Sequence, residues 1–184
     1  MKKVVLMKRV LLLGGILVAV LVGFVALACS REDASNPLAE VKDIKVGPPL
    51  KHRPGNLDYD QSPPDGGPHN PIWQNCGFYD EPVRDENAVH SLEHGAVWIT
   101  YQPDLPQKQI GKLRDLAQNN SLVLASPYPG LDSPVIASAW GKQLTLQSAE
   151  DPDLERFIKK YSEGPQTPDP GLGAGCSGGV GQPQ

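Results

Sequence analysis

The amino-acid sequence predicts an α+β fold: a small, largely antiparallel sheet with two helices on one face, preceded by a Pro/Gly-rich extended wrap. Three observations lead there. Short β-branched and aromatic runs alternate with segments of helical period between residues 96 and 161. The links between them are short, which favours hairpins over crossovers. Gly (19) and Pro (19) together make up about a fifth of the chain, against a usual ~12%, and they concentrate outside that region.

Ala96–Tyr101, with Val97, Trp98, Ile99 and Thr100, reads as a strand that Pro103 ends. Pro106 to Asn119 reads as a helix, because Ile110, Leu113, Leu116 and Ala117 recur at helical spacing and Pro106 suits a first turn. Leu122 to Ala125 is a short strand, and Tyr128-Pro129-Gly130 a turn. Pro134–Trp140 and Gln143–Leu146 form a hairpin about Gly141-Lys142. Ser148 or Asp151 then caps a helix from Pro152 to Tyr161, whose apolar face is Leu154, Phe157, Ile158 and Tyr161.

The flanks read differently. From Pro37 to Pro71, breakers such as Pro48-Pro49, Pro54-Gly55 and Pro63-Pro64-Asp65-Gly66-Gly67-Pro68 forbid a helix and predict extended coil with turns. The resulting division is 1–28 signal or membrane segment, 29–53 linker, 54–163 globular domain and 164–184 a Gly/Pro-rich tail too poor in apolar residues to order itself.

Lys2, Lys3, Lys8 and Arg9 precede an uncharged run from Val10 to Ala28, close to the ~20 residues that cross a bilayer. Val25-Ala26-Leu27-Ala28-Cys29 has the form of a lipobox, in which Cys29 would carry lipid after cleavage; an uncleaved single span is the alternative. Both readings tether the chain to a membrane with its domain on the extracytoplasmic side, periplasmic or extracellular. The net charge of −4, with no basic run outside the extreme N-terminus, argues against a nucleic-acid partner.

With Cys29 lipidated, Cys76 and Cys176 remain, and outside the cytoplasm they are expected to pair as a disulfide. Cys76 as a soft metal ligand is the other use of that thiol. Both methionines, Met1 and Met7, fall within the signal, which excludes a methionine-rich copper site. There is no G-x-S-x-G, no phosphate-binding Gly loop and no C-x-x-C, so nucleophilic, nucleotide and thioredoxin-type chemistry lack a carrier.

The histidines carry the remaining chemistry: His52, His69, His90 and His94. His90-Ser91-Leu92-Glu93-His94 matches the bare H-x-x-E-H pattern of metallopeptidases, with Glu93 as general base. Four residues span ~6 Å in a helix and ~13 Å in a strand, so only a helix lets His90 and His94 share an ion. Asn87 suits its N-cap and Gly95 its C′ position. The peptidase reading also needs a downstream ligand, for which Glu155 is the candidate. A plain metal site asks less. His69, held by the rigid Gly67-Pro68 turn, would join His90 and His94 around copper or zinc, with Glu93, Tyr79 or Cys76 completing or supporting them. Histidines that merely bond loop carbonyls are the structural alternative.

Gly67-Pro68-His69, Gly77-Phe78-Tyr79, His90-Ser91-Leu92-Glu93-His94-Gly95-Ala96-Val97, Tyr101-x-Pro103, Pro129-Gly130-Leu131 and Ala137-x-Ala139-Trp140-Gly141 together resemble the bacterial domain of unknown function 3105, from about Pro54 to Tyr161. The resemblance implies a single N-terminal membrane anchor and the extent of the domain, and it implies no activity. The functional expectation is therefore a membrane-tethered, non-catalytic extracytoplasmic domain with a His-based copper or zinc site, accessory to a membrane complex. An interaction lipoprotein with structural histidines is the second reading, and a small metal-dependent hydrolase the third.

Overall fold

A computed structural model of the chain describes residues 38–46, 49, 51–171 and 176–184. The basic segment, the apolar run and Cys29 lie outside the described residues. Among the described residues, no helix is long and apolar enough to cross a membrane.

The elements are β1 (Lys42–Asp43), β2 (Gly77–Phe78), α1 (Asp85–Glu93), β3 (Val97–Tyr101), α2 (Gln107–Asn119), β4 (Val123–Pro127), β5 (Val135–Ala139), β6 (Lys142–Leu146) and α3 (Pro152–Tyr161). The strands form one sheet in the order β1-β6-β5-β3-β4-β2. The β1–β6, β6–β5 and β5–β3 pairs are antiparallel, while β3–β4 and β4–β2 are parallel. The sheet is thus mixed and mostly antiparallel. The parallel β3–β4 pair exists because α2 carries the chain back between them, and parallel neighbours need such a crossover.

The expected strands and helices from residue 96 onward appear within two residues of their sequence-derived ends. Asp151 caps α3, its side chain accepting the Asp153 N–H at 2.9 Å. β3 is buried along its whole length, so its alternating side chains serve two cores. Val97, Ile99 and Tyr101 face Ile110, Leu113 and Ala117 of α2 and Leu154, Phe157 and Ile158 of α3. Trp98 faces the other way, with Ala88, Val89 and Leu92 of α1. Two helices therefore cover one face, as expected, and α1 covers the opposite face.

Two boundaries need correction. The expected linker 29–53 already contributes to the domain. Lys42–Asp43 pairs with β6, and His52 forms a parallel bridge with His69. The tail, expected to be disordered except near Cys176, runs along residues 73–78 over residues 176–184. Asn75 N donates to Val180 O, Val180 N to Trp73 O, and Gln184 N to Phe78 O. Cys76 and Cys176 stand at disulfide distance, with sulfurs 2.10 Å apart. The tail needs no core of its own because the Cys pair and the backbone bonds hold it to the sheet edge. Its glycines permit the approach: a Cβ on Gly179 would collide with the Trp73 carbonyl.

The wrap from Lys51 to Cys76 lies over α1. Leu57 N donates to Glu86 Oε1 at 2.7 Å, Ser91 Oγ to the Gln74 carbonyl at 2.7 Å, and Asn87 Nδ2 to the Ile72 carbonyl at 2.6 Å. Asp65 in this wrap is only 2% exposed. Its Oδ1 accepts from Gln61 Nε2 at 2.6 Å, and its Oδ2 has no hydrogen-bond partner among the described residues. Burial raises its carboxyl to about 6. A folded-state value above the unfolded one contributes stability at acid pH, and that contribution is lost as pH rises through about 6. Asp65→Asn is therefore expected to stabilise the fold at pH 8 by on the order of 1–2 kcal/mol and to change little at pH 4. Urea unfolding at both pH values tests this. Destabilisation at pH 8 would refute it.

Candidate metal centre

α1 begins three residues earlier than its sequence suggests. Arg84 stands at the N-cap position and Asn87 lies inside the helix, its amide spent on the wrap. The helix ends as expected. His94 is the C-cap, and Gly95 follows with φ +97°, where Glu163 leaves no room for a side chain. His90, Glu93 and His94 thus share one helical end, with the wrap folded across it.

Four side chains meet there. His52, His69, His90 and Glu93 each offer one ligand atom, and these atoms lie within 4.8 Å of one another. Glu93 Oε2 is 3.1 Å from His69 Nε2 and 3.8 Å from His52 Nε2. His69, His90 and Glu93 are buried, whereas the His52 side chain is 41% exposed. Trp140 meets the His69 ring edge-on at 5.9 Å, and Trp73 packs against His90 and His94 at 5.7 and 5.9 Å.

The hydrogen bonds fix the tautomers. His69 Nδ1 lies 2.8 Å from the Gly67 carbonyl, His90 Nδ1 2.7 Å from that of Asn70, and His94 Nδ1 2.9 Å from that of Asp169. A carbonyl oxygen only accepts, so each Nδ1 carries the proton and donates it. In a neutral ring the Nε2 is then a bare lone pair. Burial lowers the His69 pKa and pushes that of His90 down to about 4, which keeps both rings neutral near pH 7. His69 Nε2 consequently points a lone pair at a carboxylate oxygen. His90 Nε2 lies 2.9 Å from His94 Nε2, a hydrogen-bond distance at which the two rings can share a proton. A lone pair and a carboxylate oxygen 3.1 Å apart call for a cation between them, a proton or a metal ion. Backbone carbonyls behind each Nδ1 are the usual support for metal-bound histidines.

The chain matches the family pattern described as protein of unknown function (DUF3105) over residues 51–178, well over half its length. The chain belongs to the DUF3105 family. Neither a curated protein nor a solved structure matches it. The DUF3105 match extends past the Pro54–Tyr161 span of the sequence resemblance at both ends and takes in His52 and Cys176.

Of the residues expected at the site, the DUF3105 domain brings His69, His90 and Glu93 into one cluster. His94 touches it only through His90. Cys76 is committed to Cys176, and the Tyr79 hydroxyl donates to the Asn75 carbonyl at 2.8 Å, so neither serves the cluster. Glu155 lies on α3, in an ion pair with Lys112 of α2 at 3.1 Å, and those helices cover the face opposite α1. His52 is the member that sequence reasoning missed. Its place depends on the backbone bridge to His69, in which Arg53 N donates to the His69 carbonyl at 2.7 Å. No periodicity announces a pairing across that many turns. The only available signal is that all four histidines fall between residues 52 and 94.

Proposed function

We propose that this protein is a membrane-tethered, extracytoplasmic, non-catalytic domain that binds zinc or copper, as a carrier or an accessory of a membrane complex. One observation carries the metal-binding part: histidine Nε2 lone pairs and the Glu93 carboxylate converge while every Nδ1 proton on the buried side is already donated to a carbonyl. The donor set is imidazole and carboxylate. Thiolate is absent from it because Cys76 and Cys176 are joined. Such a set suits a divalent first-row ion such as Zn²⁺ or Cu²⁺ and offers little to Cu⁺. The tether rests on the basic and apolar N-terminal sequence with Cys29, and the paired cysteines accord with an oxidising compartment.

Glu93 argues against hydrolysis. It is fully buried and faces His69, so a substrate carbonyl and its attacking water have no access to it as a base. The test is metal content by mass spectrometry of the full-length, untagged chain beside its His69→Ala/His90→Ala double variant. About one equivalent of zinc or copper in the parent, absent from the variant, is expected. A parent that retains no metal after loading and dialysis would overturn the reading.

A further inference from the structure

The four residues of the cluster are not held alike. His69, His90 and Glu93 are buried. The His69 and His90 rings are each pinned by a hydrogen bond to a backbone carbonyl, of Gly67 at 2.8 Å and of Asn70 at 2.7 Å. His52 differs on both counts. Its side chain is 41% exposed, and among the described residues no hydrogen bond holds its ring. That ring nonetheless belongs to the cluster. Its Nε2 stands 3.8 Å from Glu93 Oε2, and its centroid lies 5.0 Å from that of His69 and 4.8 Å from that of His90. His52 is therefore the side of the cluster open to water.

What anchors His52 is its backbone. Arg53 N donates to the His69 carbonyl at 2.7 Å, and His69 N to the Lys51 carbonyl at 3.2 Å. The bridge sets the His52 backbone beside that of His69 and leaves the ring free to change rotamer. Such a ring can leave an ion without moving the backbone or breaking a buried contact. Neither buried histidine can turn away without giving up its carbonyl, and Glu93 has no solvent to turn into.

Charge sets the kind of ligand that would replace it. Lys51 and Arg53 flank His52, are exposed, and form no ion pair among the described residues. Arg84 Nη2 reaches the same stretch at the Gly55 carbonyl, 3.0 Å away. A divalent ion with Glu93 as its one anionic ligand also keeps net positive charge. An incoming ligand meets positive potential, which draws anions and repels cations.

Building on the metal-binding reading above, we propose that His69, His90 and Glu93 are fixed ligands and His52 the exchangeable one, and that the ion enters and leaves past His52 by exchange with a carboxylate-bearing partner. The bond from the ion to His52 breaks as a bond to a carboxylate oxygen of the partner forms. The ion keeps its charge, and no electron moves. The bound ion is then cargo, and the wrap around His52 is the surface on which the partner docks.

The experiment uses the full-length, untagged chain loaded with Zn²⁺, beside His52→Ala and Lys51→Gln/Arg53→Gln. Transfer is timed to nitrilotriacetate, a tricarboxylate, and to phenanthroline, a neutral chelator. Zinc left on the protein is measured after rapid gel filtration, and circular dichroism checks each fold. His52→Ala is expected to keep one equivalent and to release it to nitrilotriacetate about tenfold faster. Added imidazole, which fits the vacated position, should return that rate to the parent's. Lys51→Gln/Arg53→Gln should slow transfer to nitrilotriacetate by about threefold at low salt and leave transfer to phenanthroline unchanged. Loss of the ion from a folded His52→Ala would make His52 a fixed ligand and overturn the proposal. A parental transfer rate in His52→Ala, or a fast rate that imidazole does not slow, would overturn it by taking His52 off the ion. Equal effects on both chelators, or none, would overturn the carboxylate-bearing partner. A parent that binds no Zn²⁺ defeats the metal-binding reading itself, whereas a loaded parent with any of these results defeats this inference alone.

Discussion

Glu93→Gln is expected to abolish metal retention and, at the same time, to stabilise the metal-free fold. The two effects have one cause. Glu93 is fully buried, and its Oε2 lies 3.1 Å from a His69 Nε2 whose proton count leaves it an acceptor. Replacing one carboxylate oxygen with an amide can turn an N–H toward that acceptor and removes a buried charge. The gain should be on the order of 1–3 kcal/mol in the metal-free protein at pH 7. Metal affinity should fall by about a hundredfold or more, since even supporting contacts behind a ligand are worth 10–100-fold. The structural reading predicts the opposite sign. If Glu93 formed a buried ion pair with a charged His69, neutralising it would cost about 3–5 kcal/mol by stranding the partner. Urea titration of metal-stripped parent and variant, with metal content measured in parallel, decides between them. Destabilisation of the stripped variant would sink the metal reading of Glu93.

Removing the Cys76–Cys176 link should have the largest effect on stability. The bond closes a loop across a sequence separation of 100 residues. Chain entropy alone assigns about 4.7 kcal/mol to such a loop, and a compact unfolded state lowers this to about 3–4. Against a typical total of ~5–15 kcal/mol this is a large share. Cys76→Ser/Cys176→Ser in denaturant unfolding should show that loss. The tail runs beside Trp73, and Trp73 packs on His90 and His94, so the double variant should also move the tryptophan emission to longer wavelength. A loss under about 1 kcal/mol would mean that the backbone bonds between the tail and residues 73–78 hold the strap without the link.

Two features of the site, and one cross-link outside it, were legible in the sequence. The spacing of His90, Glu93 and His94 identified a helical turn, and Gly95 marked its end. Gly67-Pro68 flagged His69 as held in a rigid place, and its backbone is indeed pinned, with His69 N donating to the Lys51 carbonyl at 3.2 Å. Cys76 and Cys176 were paired by elimination. What was not legible follows from distance along the chain. His52 reaches the cluster through one bridge made across the wrap, and no local propensity encodes such a contact. The tail looked unable to order itself, and by composition it is. Its order comes from a partner edge supplied by residues 73–78.

By itself the sequence determined the element types and nearly all their ends from residue 96 onward, because hydrophobic period and turn chemistry act within a few residues. It also determined which residue types could hold an ion. Only the tertiary structure decided which of them come together. The wrap carries His52 and His69 onto the end of α1, and backbone carbonyls from Gly67, Asn70 and Asp169 take the Nδ1 protons. Burial then keeps His69 and His90 neutral. Those three conditions depend on groups brought together from distant positions and on the exclusion of water. No reading of neighbours along a chain can supply either.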